Sequence, residues 1–124
     1  MPQIELGNDI KCSNGLVLSY RTVSTTTTIS STSGTGGTHD YMIGVDTSSN
    51  TITINLPTDG ARVVGRTYFI FDKTGNAGTR NITVDAGTNA QINGTQTKVI
   101  NSNYNSFTVC CVDATSGSER WNII

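Results

Sequence analysis

The sequence predicts an all-β fold: an antiparallel, jelly-roll-like β-sandwich of about seven or eight strands. Three observations point there. Hydrophobic residues are 35% and charged residues 14% of the 124 positions, and Thr, Ser, Asn and Gly fill the gap. β-Branched Thr favours strands, and Gly and Asn favour turns. Short runs of alternating or apolar residues recur, with turn signals every ~8–12 residues. No segment carries a helical apolar period flanked by capping residues.

Each element follows from its own pattern. Residues 1–40 read as an N-terminal docking arm. Ile4, Leu6, Leu16, Val17 and Leu18 are its apolar residues, with an Asn14-Gly15 turn signal between the two groups. The low-complexity stretch "STTTTISSTSGTGGTHD" (24–40) closes it as a linker, its Thr run able to extend as an edge strand. Residues 41–124 form the β-sandwich domain. "DYMIGVD" is a short apolar run. "NTITINLP" alternates, Ile52, Ile54 and Leu56 inward against Thr51, Thr53 and Asn55, and Pro57 ends it.

"RTYFIFD" (66–72) is apolar on both faces, Tyr68 and Ile70 against Phe69 and Phe71. Such a strand is buried on both sides or meets another chain. "KTGNAGT" is turn chemistry, and Asp72, Gly75 and Asn76 belong to it. "NITVD" alternates with Ile82 and Val84 inward, and Asn93-Gly94 marks a turn between two further strands. "SFTVCCV" is a second two-sided run, and "RWNII" follows. Tyr68, Phe69, Ile70, Phe71, Phe107, Val109 and Trp121 are the expected residues of the core and of contacts between copies. The turn-rich spacing is too irregular to read as a solenoid repeat.

Composition excludes several functions. Net charge is -1 and the basic residues are scattered, so no phosphate-neutralising surface is expected and nucleic acid is not a partner. No stretch approaches the ~20 apolar residues of a membrane-spanning helix. "MPQIELGNDIKC" lacks the pattern of a secretory leader, which places synthesis in a cytoplasm. Cys12, Cys110 and Cys111 read as free thiols, any pairing among them left open. Adjacent strand residues face opposite ways, so the Cys pair does not line one metal site.

Catalytic patterns are missing. His39, the one histidine, follows a Gly-rich stretch and reads as an exposed loop residue. There is no G-x-S-x-G elbow, no phosphate loop around "DKTGN", and no calcium-loop spacing among the aspartates. Neither an enzymatic activity, a cofactor nor a metal is expected. Asn81-Ile82-Thr83 and Asn93-Gly94-Thr95 match the glycosylation pattern but read as a strand start and a turn. Tyr41 and Tyr104 are the candidate sugar-stacking aromatics.

The order of motifs resembles a β-rich module of phage and other virus structural proteins, found in tail-fibre tips, spikes and small capsid-surface proteins. The residues that carry it are Asp40 to Pro57, Gly65 to Asp72, Gly75 to Ala77, Asn81 to Val84, Ile92 to Gly94, Asn103-Tyr104 and Trp121. The resemblance spans residues 18–124. It implies a compact β-sandwich, a homotrimer, and a place in a virion without catalysis. Two departures stand out: Asn105 follows Tyr104 where the family often has a glycine, asparagine still being able to take a left-handed turn, and the Cys pair replaces aliphatic or aromatic residues. The short chain has no fibre shaft, which favours a trimeric decoration or cement protein clamped on the major capsid protein. The alternative is a tail-fibre or spike tip that reads host glycans.

Overall fold

The structure, a computed structural model, describes residues 13, 15–29, 40–57 and 63–124. The described residues contain ten strands and no helix. In chain order they are β1 (Tyr20–Val23), β2 (Thr27–Thr28), β3 (Met42–Val45), β4 (Ile52–Asn55) and β5 (Thr67–Asp72). Then come β6 (Ile82–Asp85), β7 (Gln91–Ile92), β8 (Thr97–Ile100), β9 (Ser106–Asp113) and β10 (Arg120–Ile123). One sheet has six strands in the order β1-β3-β5-β9-β10-β7, and the other has four in the order β2-β4-β6-β8. The fold is therefore all-β and sandwich-like.

Strand direction departs from the antiparallel expectation. β1, β3 and β5 run parallel in one sheet, and β2, β4 and β6 run parallel in the other. Only later strands turn back: β9 against β5, β10 against β9, and β8 against β6. The cause lies in the connections. Each of the first three pairs crosses from one sheet to the other, so sheet neighbours are next-but-one in sequence and point the same way. β1–β2, β3–β4 and β5–β6 thus stack as three rungs.

The rungs are a structural repeat without a fixed period in the sequence. In the larger sheet Tyr20 pairs with Met42, and Met42 in turn with Phe69. In the smaller sheet Thr27 pairs with Ile54, and Ile52 with Ile82. The strands are in register, but the turns between them differ in length. The step along the chain from one partner to the next is therefore unequal, which erases a fixed period. "TITIN" and "NITVD" are two such layers, Thr53 beside Thr83 and Asn55 beside Asp85.

One core lies between the sheets. Ile43, Val45, Tyr68, Ile70, Val109, Cys111 and Trp121 enter it from the larger sheet. Ile52, Ile54, Ile82, Val84 and Ile100 meet them from the smaller one. Tyr68 and Trp121 pack in it with ring centroids 5.8 Å apart. The Trp121 indole N–H is buried and finds no acceptor among the described residues. Within the segment expected to serve as an arm, β1 and β2 pair into the sheets, and Val23 and Ile29 are buried. Asn93 and Gly94 both have positive φ, 46° and 84°, as a tight two-residue hairpin turn requires.

Candidate functional site

The two sheets present unlike outer faces. On the smaller sheet, register places Thr28, Asn55, Asp85 and Thr97 in one outward row, and Thr53, Thr83 and Val99 in the next. These are short, mostly polar side chains, as on a solvated sheet face. On the larger sheet the outward positions include Tyr20, Met42, Phe69, Phe71, Thr108 and Cys110, with Thr22, Gly44, Thr67, Ser106, Val112 and Asn122 around them. None of these residues is charged; Arg120, outward on β10 beside Gln91 at the far edge of the sheet, is held by the Asn89, Ser118 and Glu119 carbonyls.

Aromatic rings cluster on this second face. Tyr20 stacks on Phe71 at 6.1 Å, and Phe71 lies 5.6 Å from Phe69. Gly44 is the slot that permits it: a Cβ there would fall 2.7 Å from the Tyr20 hydroxyl and 3.0 Å from Phe71 Cζ. Lys73 reaches only the rim, its Nζ donating to Thr22 Oγ1 at 3.1 Å. Of the residues expected to serve core or contacts, Tyr68, Ile70, Val109 and Trp121 are buried in the core. Phe107 packs against it half-buried. Phe69 and Phe71 lie outside, half-buried on the sheet face.

Of the expected docking residues, Leu16, Val17 and Leu18 are 71%, 92% and 43% exposed. Ile4 and Leu6 lie outside the described residues, as do Cys12 and His39. Cys110 is half-buried on the outer face. Burial pushes the Cys111 thiol above its ordinary range.

A buried carboxylate organises the other end of β5. Asp72 Oδ1 accepts the Thr47 hydroxyl at 2.7 Å and the Gly75 N–H at 3.1 Å. Its Oδ2 accepts the N–H groups of Ala77 and Tyr104, both at 3.0 Å. One side chain thus ties the β3–β4 turn, the β5–β6 turn and the β8–β9 turn together. Burial raises its pKa, but the donors from Ala77, Thr47, Tyr104 and Gly75 outweigh that and hold the carboxyl below its ordinary range. The sequence suggests local turn bonds for Asp72. The links to Thr47 and Tyr104 join residues far apart in the chain and have no sequence signal.

Tyr104 is itself unusual, with a φ of 59°. The left-handed residue of this turn is Tyr104, and Asn105, which is able to take that conformation, does not. Asn105 instead donates its N–H to Ser102 O at 3.2 Å and accepts the Ser106 N–H at 2.9 Å. Tyr104 does not join Tyr41. The Tyr41 carbonyl accepts the Phe69 N–H at 2.8 Å near the start of β5, whereas Tyr104 is bonded to Asp72 at its end. Tyr41 lines an open groove of about 550 Å³ with Leu18, Asp40, Val63 and Arg66. Asp40 there receives Arg21 Nη2 at 2.7 Å.

Among the described residues no group of three His, Cys, Asp or Glu side chains could hold a metal ion, and no helix is long and apolar enough to cross a membrane. Compared with models of known families and with curated proteins, the chain matches none.

Proposed function

We propose that this protein is a structural subunit: a homotrimeric decoration or cement protein of a virion, acting by covering surface rather than by turning over a substrate. The observation that carries the self-assembly is the contrast between the two sheet faces. An outer face that gathers large apolar side chains marks a contact surface more often than one left to water. Here the smaller sheet carries Thr, Asn and Asp outward, while the larger carries Tyr20, Met42, Phe69 and Phe71 with no charge among them. Sister copies are the partner that would bury such a face in every molecule at once. The virion itself rests on the motif order from Asp40 to Trp121.

Leu16 and Val17 are the proposed contact to the major capsid protein or another virion protein, since they are exposed and lie before β1. The double variant Leu16→Asp, Val17→Asp is expected to keep its fold and oligomeric mass and to lose co-sedimentation with purified particles. Full co-sedimentation of that variant would remove the docking role. Copy number in the particle separates the placements: stoichiometry with the major capsid protein means a shell, and a low count means a tail.

A further inference from the structure

Tyr104 has a feature that self-assembly does not use. Among the described residues only Asn89, Asn93 and Tyr104 are non-glycine residues with positive φ. Asparagine visits that region readily, and a bulky side chain does so at a cost of about 1–2 kcal/mol. The backbone is nevertheless pinned there by the Asp72 carboxylate, which accepts the Tyr104 N–H at 3.0 Å. The ring lies across Gly75, whose φ is 79° and whose place a Cβ would fill with overlap into the ring. So the ring rests on backbone, while the residue as a whole stays 72% exposed.

Three carboxamides flank this ring in sequence and turn. Asn103 Oδ1 accepts the Gly78 N–H at 2.8 Å, and Asn105 Oδ1 accepts the Ser106 N–H at 2.9 Å. A backbone N–H fixes which atom of each amide is the oxygen, so both keep an NH2 group as a donor. Asn76 does the reverse: its Nδ2 donates to the Thr74 carbonyl at 3.2 Å, which leaves Oδ1 as an acceptor. An exposed aromatic ring resting on backbone, with uncharged donors and an acceptor on neighbouring residues of the same turns, suits a ligand ring that is apolar on its C–H face and hydroxylated at its edge.

We propose that Tyr104 is the platform of a carbohydrate subsite that stacks the C–H face of a neutral pyranose, with Asn76, Asn103 and Asn105 bonding its hydroxyls. The subsite does not depend on self-assembly or on the virion. A single stacked sugar on an open surface binds in the millimolar range.

The test is amide NMR of the full chain titrated with the methyl glycosides of glucose, galactose and N-acetylglucosamine. The expected result is a saturable shift at Asn103, Tyr104 and Asn105 with at least one of them. Tyr104→Phe retains the shift. Tyr104→Gly suits the positive φ, keeps the fold, and weakens binding by at least about tenfold. No saturable shift at these residues with any of the three sugars overturns the proposal. So does a Tyr104→Gly variant that binds as tightly as the natural chain.

Discussion

Replacing Asp72 by asparagine keeps the size of the side chain but puts an NH2 where an oxygen now accepts two donors. Bonds to a charged acceptor contribute about 1.5–3 kcal/mol each, and the variant also buries an unmatched donor. Asp72→Asn is expected to lower stability by about 2–4 kcal/mol in urea unfolding. The pH dependence has a definite sign. The folded carboxyl titrates below its unfolded value of about 3.9, so its stabilisation is complete above that value. It is lost as pH falls through the lower, folded value. The natural chain should therefore lose stability in acid more steeply than Asp72→Asn. Asp46 and Asp113, held low by hydrogen bonds from Ser48 and Thr115, have the same sign and leave the variant a residual slope. Gly75→Ala is expected to cost about 1–3 kcal/mol in the same assay, since its φ is 79° and its Cβ would enter the Tyr104 ring.

At the scale of elements, period-2 alternation was legible and strand direction was not. Ile52, Ile54 and Leu56 are buried and Thr53 and Asn55 half-exposed, as "TITINLP" implies. Ile82 and Val84 are buried, and Asn93-Gly94 turns, again as read. Alternation is identical for a parallel and an antiparallel strand, so it carries no information about direction. Direction comes from whether a turn returns to the same sheet or crosses to the other, and turn residues look alike in both cases. The two-sided character of β5 was legible as well, but only the structure divides it into Tyr68 and Ile70 inside and Phe69 and Phe71 outside. β9 tests that division. Thr108 faces outward beside Phe69, so Thr108→Arg places a charge within the apolar face without opening the core. Its thermal midpoint should stay within a few degrees of the natural chain while its oligomeric mass falls.

At the scale of the molecule, one short chain makes two sheets with opposite surface chemistry. The three rungs stack Thr, Asn and Asp in register on one side and aromatic residues on the other. Burying a face like the second drives association, because apolar surface contributes about 25 cal/mol for each Å² removed from water. The candidate contact face was half legible. An unusual count of apolar residues on "YFIF" pointed to it, but Tyr20 and Gly44 join only through parallel pairing of β1 with β3. The sugar platform was less so: Tyr104 stood out as an aromatic residue, while its support by Asp72 and Gly75 depends on contacts across the fold. Sedimentation equilibrium of the full chain in the micromolar range reads directly whether the larger sheet's outer face joins sister copies. The natural chain is expected to sediment as a trimer and Thr108→Arg as a monomer; a natural chain that stays monomeric across that range rules out self-assembly through this face.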